Sequence, residues 1–245
     1  MIKFENVEVT GWEAAIRGMR NPMNSWEKSD SFVPCYIRTK CHECEVNQKC
    51  AYYFSDGKPY KKDDIIGPND LDLMTRLCKS GTDHRKFMRM ITVYLDITAP
   101  LYWWKEFDTY KVGTVANSCS TMHKIADKEF ELSDFSIEHL VCVGDFKYIV
   151  DILNCWRSRY IQCDDDSTIL ERLGMTKKEV WWQMIQLLPS SYNQRRTVML
   201  NYEVLANIYK SRHNHKLDEW HDFCSLIEGL PYSQILTGWK GENAT

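Results

Sequence analysis

Residues Ile97 to Lys124 read ITAPLYWWKEFDTYKVGTVANSCSTMHK. Upstream of Ala99-Pro100 lies Phe87 to Ile97, rich in Met, Ile, Val, Tyr and Leu, which is the composition of a buried strand. Downstream comes a helical segment carrying Leu101, Tyr102, Trp103, Trp104 and Phe107, and then small polar residues from Thr109 to Ser120. Two readings fit this order. In one, Trp103, Trp104 and Phe107 are ordinary core and the polar run is a surface loop. In the other, the aromatic wall leads into a ligand pocket, where apolar surface buries a ligand and a few polar groups fix it.

Working toward the N-terminus, Pro68-Asn69-Asp70 starts a helix with Leu71, Leu73, Met74 and Leu77 on its apolar face, and Gly81 stops it. Ile2, Phe4, Val7 and Val9 alternate with polar neighbours as a strand does. Thr10 is placed to cap a helix over Gly11 to Met19, ended by Asn21-Pro22. From Asn21 to Gly67 periodicity is lost, and an irregular insert of that length tends to be functional or mobile. Toward the C-terminus, Glu129 to Leu132 reads as a short strand before a Ser133/Asp134 cap. Tyr148 to Gln162 and Lys177 to Leu188 read as helices around a turn at Asp164 to Asp166. Thr197 to Ser211 reads as one helix with Val198, Leu200 or Asn201, Leu205 and Ile208 inward, and Leu217 to Leu230 as the last. The pattern is a small sheet with many helices, without internal repeats.

With 44% hydrophobic and 27% charged residues, the 245-residue chain has the composition of a globular protein. Its length suits one domain, residues 1–245, with an irregular Cys-containing insert at about 22–67. A net charge of -3 and a pI near 6.2 argue against wrapping a polymeric nucleic acid, but leave room for a local basic pocket. Apolar runs such as Ile149 to Leu153 fall far short of the roughly 20 residues a membrane span needs, and residues 1–20 lack the apolar core of a signal peptide. The expected location is the cytoplasm, where thiols stay reduced or bind metal.

Cys35, Cys41, Cys44 and Cys50 are spaced C-x5-C-x2-C-x5-C within the insert. Four thiolates so placed suit a tetrahedral zinc ion that would order a segment lacking its own core. An iron–sulfur cluster, His42 replacing one ligand, and plain thiols are the other readings. Cys78, Cys119, Cys142, Cys155, Cys163 and Cys224 are dispersed and read as small buried hydrophobes.

Three segments taken in order carry a family likeness. They are His84 through Pro100 into the aromatic helix, then Asn117-Ser118-Cys119-Ser120, then LPSSYNQRRTVMLNYEVLANIYKSRHNHKLDEWHDF from Leu188 to Phe223. Together they resemble the flavin-dependent thymidylate synthase (thymidylate synthase complementing protein) family. Pro189, Asn201, Leu205, Asn207 and Arg212 fall at the family's spacing, and Glu219 fits its last helix after a one-residue gap. The family signature R-H-R-x-x-S-x-N-E-x-S-x-R-Y is degenerate here. Asn117 and Ser120 survive, the opening triplet is replaced at Thr109-Tyr110-Lys111, and the closing pair is Met122-His123. Of the upstream H-x-[ST]-x-x-E-H only His84 persists. The Arg of N-x-R is Glu203, and the Arg before the Leu-Pro pair gives way to Ile185 or Gln186.

The resemblance implies an α/β (α+β) fold with a twisted, mostly antiparallel sheet flanked by helices. It also implies a homotetramer, since the family's active sites form between subunits. It implies reductive methylation of dUMP to dTMP using FAD, methylenetetrahydrofolate and NADPH, a methyltransferase step in nucleotide biosynthesis. By residue, His84, Lys111, Asn201 and Asn207 would face the flavin, Asn117 and Ser120 the nucleotide, and Arg212 would hold and polarise the uracil ring. Asn offers both donor and acceptor, and Arg a permanent charge on a planar fork. The family uses no cysteine nucleophile, so Cys119 is structural on this reading. The missing arginines are those the family uses on phosphates. Lys86, Arg89, Lys105, Lys111, His123, Lys124, Arg195 and Arg196 are the candidate replacements, and Glu203 opposes them. A flavoenzyme acting on a different pyrimidine, and a non-catalytic nucleotide-binding or scaffold homologue, are the rival readings.

Overall fold

In chain order the elements are β1 (Lys3–Thr10), α1 (Trp12–Arg20), β2 (Phe54–Ser55), β3 (Lys58–Pro59), α2 (Pro68–Lys79), β4 (Thr92–Pro100), α3 (Leu101–Phe107), β5 (Thr114–Ser118) and α4 (Thr121–Lys124). There follow α5 (Val143–Asp165), α6 (Thr168–Leu173), α7 (Lys177–Leu187), β6 (Asn193–Asn201), α8 (Tyr202–Arg212), α9 (Asp218–Glu228) and α10 (Gln234–Thr237). The computed structural model describes residues 2–31, 54–55, 58–59, 66–165 and 168–238. A four-stranded antiparallel sheet runs in the order β1-β4-β6-β5, and β2 pairs antiparallel with β3, Phe54 opposite Pro59. The fold is therefore the mixed α/β type, helices with an open antiparallel sheet. Among the described residues no helix is long and apolar enough to cross a membrane.

The chain divides into two compact units. The first comprises Met1–Glu8, Tyr94–Met199 and Lys216–Asp222. Along its β4, Leu95, Ile97 and Ala99 are buried while Tyr94, Asp96 and Thr98 alternate with them, the period-two signature of a sheet with one covered face. Pro100 ends the strand because it has no N–H for the ladder, and the next residues turn into α3. Trp103, Trp104 and Phe107 are then fully buried, with Trp103 at 5.0 Å from Phe107 and 4.8 Å from Trp220 between ring centroids. Trp104 donates from its indole to the Gln194 carbonyl at 2.9 Å, and Trp220 to Glu106 at 2.9 Å. These aromatics are core. A second cluster of Phe130, Phe135, Phe146, Val150, Leu153 and Met184 closes the space between α5 and α7, each side chain contributing about 1.5–3 kcal/mol of burial.

The second unit comprises Val9–Val93, Leu200–His215 and Phe223–Thr245. Its α1 is entered through Gly11 at φ 94, where a Cβ would stand 1.9 Å from the Met90 carbonyl oxygen, so only glycine fits. Trp12 meets Tyr202 and Tyr232 edge to face, each at 5.1 Å. Arg20 donates to Asp70 at 2.6 Å with both side chains out of solvent. Asp70 also accepts from the Ser29 and Ser31 hydroxyls at 2.6 Å each, and from the backbone N–H of Asp30 and Ser31.

Several elements depart from the sequence-based reading. Lys86–Met90 is a short 3-10 helix, so β4 begins at Thr92 instead of Phe87. The helix expected over Thr197–Ser211 is two elements, β6 ending at Asn201 and α8 starting at Tyr202. The Asn201 side chain accepts the Val204 N–H and starts the helix there. Gly11, not Thr10, occupies the cap position of α1. The strand expected at Glu129–Leu132 is replaced by a 3-10 turn, Leu132–Asp134, bracketed by reciprocal Glu131 and Asp134 capping bonds. The polar run after the tryptophans contains an edge strand, β5.

Candidate functional site

The sequence-predicted residues fall into two groups, one in each unit. In the second unit, α8 carries three of them. Asn201 caps the helix, its Oδ1 accepting the Val204 N–H at 3.0 Å, which leaves its NH2 as a donor. Asn207, one and a half turns on, is exposed, and Arg212 is half-buried at the helix end. His84 is exposed in the turn that precedes Arg85.

Glu203 is the departure from the family pattern that would oppose an anionic ligand. It is buried, and two guanidiniums hold it. Arg85 donates from Nε at 3.4 Å, while Arg89 forms a fork on both carboxylate oxygens, Nη2 at 3.3 Å and Nε on the other oxygen. Arg85, itself buried, also donates from Nη2 to Asn207 Oδ1 at 3.0 Å. The hydrogen bond and the charge of Glu203 both raise the Arg89 pKa, so Arg89 stays protonated. Two fixed positive charges face the Glu203 carboxylate, and the Asp83 charge acts on Arg89 as well. Asn207, its oxygen engaged by Arg85, keeps its NH2 for a further acceptor.

In the first unit, Lys111, Asn117 and Ser120 lie along the polar edge built around β5. All three are exposed. Ser120 caps α4, its Oγ accepting the His123 N–H at 3.2 Å while its own O–H is available to donate. Cys119 donates its N–H to the Arg195 carbonyl at 3.0 Å, and Gln194 donates to the Cys119 carbonyl and to Thr121 Oγ1 at 3.1 Å each, so the segment after β5 is held in place by β6. Arg195 is committed to Asp96 at 2.8 Å and Arg196 to Asp108 at 2.7 Å, with the Arg196 guanidinium 4.1 Å above the Trp104 ring. Lys124 pairs with Asp127. Of the replacement charges, Arg89, Arg195, Arg196 and Lys124 thus have carboxylate partners within the chain.

Arg85 was not singled out by sequence reasoning. Its only sequence signal was its place beside His84, because its partner Glu203 lies 118 residues away. Cys35, Cys41, Cys44 and Cys50, with His42, lie outside the described residues, so the zinc reading rests on spacing alone. Among the described residues no group of three or more His, Cys, Asp or Glu side chains is placed to hold a metal ion. The six described cysteines are unpaired, but Cys119, Cys142 and Cys155 are exposed instead of buried as expected.

The cap role of Asn201 separates experimentally from the flavin contact that the resemblance implies. Asn201→Ala is expected to cost about 1 kcal/mol in urea unfolding, the usual loss for a missing N-cap. Asn201→Ser keeps the cap and the stability but removes the NH2, so it weakens flavin uptake only if that donor serves a ligand.

No protein-family model matches the chain, and no curated protein does. Solved structures share its fold. A crystal structure of thymidylate synthase X (ThyX) from Helicobacter pylori with FAD and dUMP superposes with a TM-score of 0.62 at 15% identity, covering 98% of this chain and 98% of that one. Another, of the flavin-dependent thymidylate synthase ThyX from Helicobacter pylori complexed with FAD and dUMP, gives a TM-score of 0.59 at 16% identity over 97% and 98%. At such identity the likeness establishes a shared fold.

Proposed function

We propose that the chain is a divergent flavin-dependent thymidylate synthase-like enzyme, working as a homo-oligomer, a tetramer on the family pattern. The reaction is dUMP, methylenetetrahydrofolate, NADPH and a proton giving dTMP, tetrahydrofolate and NADP+. The observation that carries the reading is the end-to-end fold match, 98% of each chain, to a protein crystallised with FAD and dUMP. A fold hosts more than one chemistry, so the donor groups of this chain must suit the ligands.

They do so by charge and by hydrogen-bond type. FAD brings two phosphates and dUMP one, and an anion leaving water needs cationic or multiple N–H partners. Arg89 brings a half-exposed guanidinium to the cluster around Glu203, and Asn207 beside it retains an amide donor. Lys111, in the first unit, is exposed and has no carboxylate partner among the described residues. His84, Lys111, Asn201 and Asn207 would hold the flavin, which when bound supplies the hydride chemistry the protein itself lacks. Asn117 and Ser120 would hydrogen-bond the nucleotide. Arg212 would donate to a carbonyl oxygen of the uracil ring, drawing electron density from C5–C6 and fixing the ring plane.

Two measurements test this. Purified protein is expected to be yellow, or to bind added FAD with the absorbance of an enclosed flavin. With FAD, NADPH and methylenetetrahydrofolate it is expected to release tritium from [5-3H]dUMP. Colourless protein that takes up no FAD overturns the proposal. Flavin binding without tritium release from dUMP transfers the reading to another pyrimidine substrate.

A further inference from the structure

The 23-residue helix α5 has two apolar faces where a surface helix needs one. Phe146, Val150 and Leu153 are buried in the first unit. On another side, Tyr148 is 71% and Ile152 49% exposed, with Ile149 and Cys155 exposed beside them. This stripe has charged ends. Asp145 stands seven residues before Ile152 and Arg159 seven after. A step of seven returns to nearly the same side of a helix, drifting only about 20°, so acid, apolar stripe and base share one line. Neither Asp145 nor Arg159 has an opposite-charge partner among the described residues. Arg159 instead lies 4.5 Å above the Trp156 ring.

We propose that this face of α5 binds a second copy of the chain, helix against antiparallel helix, about a two-fold axis at Ile152. In that register Ile152 meets its own copy, Ile149 meets Cys155 of the second copy, and Tyr148 meets Trp156. Asp145 then meets Arg159 at both ends of the contact. The charge pattern selects the direction, because a parallel pair would set Asp145 on Asp145 and Arg159 on Arg159, and like charges face to face cost several-fold in affinity or more. A two-fold contact is isologous, so each favourable pair occurs twice. The heptad spacing of 145, 152 and 159 is the seam that paired helices use. The proposal does not rest on the flavin reading, since the face carries none of the proposed ligand residues.

Sedimentation velocity on the full chain tests it, with folding of each variant checked by circular dichroism. Wild type is expected to sediment as a dimer or an even multiple. Asp145→Arg and Arg159→Asp are each expected to weaken association at least tenfold and halve the assembly mass. The double variant Asp145→Arg/Arg159→Asp restores the ion pairs and the mass. Ile152→Cys is expected to give a dimer under mild oxidation, reversed by dithiothreitol and beyond any formed by wild type, because the two Cys155 thiols lie about 9 Å apart along the axis, outside disulfide reach. Wild type sedimenting as a single chain, single variants of unchanged mass, or a double variant that does not recover would each overturn the proposal.

Discussion

Replacing Asp70 by alanine is expected to lower the unfolding free energy by about 3–5 kcal/mol, the range for stranding one member of a buried ion pair. Asp70 is 0% and Arg20 4% exposed, so water cannot take over the lost contacts. Among the described residues Arg20 would retain only its bonds to the Ser25 and Lys28 carbonyls, and the Ser29 and Ser31 hydroxyls and two backbone N–H groups would lose their shared acceptor. Urea unfolding followed by tryptophan fluorescence measures the effect. A change below about 1 kcal/mol would place the pair in a solvated setting instead. Arg20→Met/Asp70→Leu is expected to recover much of the loss, since removing both charges leaves neither one stranded.

The same carboxylate sets a pH dependence. Burial pushes its pKa up, but the hydrogen bonds from Ser29, Ser31 and Arg20 outweigh that, and the folded-state value lies below the ordinary one. A depressed carboxylate pKa means the unfolded chain binds its proton first as pH falls. The contribution is complete above the unfolded value near about 3.9 and fades as pH drops through the lower folded value. Wild type should therefore lose this part of its stability only below about pH 4, and Asp70→Ala should lack that part of the slope.

Arg212→Ala is expected to reduce kcat/KM for dUMP at least about 10²–10³-fold, the cost of one preorganised donor to a charge-developing oxygen, while FAD stays bound. Tritium release from C5 gives the rate, and flavin absorbance the occupancy. Urea unfolding of the variant is measured alongside, because Arg212 also interacts within the chain. Arg212→Lys is expected to fail nearly as badly, since a point charge does not reproduce a planar two-donor fork. Turnover unchanged in Arg212→Ala would leave Arg212 as a helix-end residue without a catalytic part.

Local signals were legible wherever one pattern ruled a segment. The Ala99-Pro100 stop and the Trp103-Trp104-Phe107 spacing located the end of β4 and the whole of α3, and Pro68 and Gly81 bracketed α2. The second half of β6, from Thr197, reads as helix because its buried positions Val198 and Leu200 run into the apolar positions of α8 without a break in composition. The switch sits in one hydrogen bond at Asn201. β5 was hidden because an edge strand with exposed positions needs no apolar alternation.

Chain chemistry was thus enough for the strand that stops at a proline, the aromatic helix behind it and the asparagines and arginine spaced along α8, because neighbours in sequence impose those features. Folding alone revealed that Glu203 is neutralised by Arg85 and Arg89 and that Asp70 is enclosed by Arg20, Ser29 and Ser31. Such pairings join residues from 39 to 118 positions apart, and no local periodicity encodes which distant charge will reach a buried carboxylate.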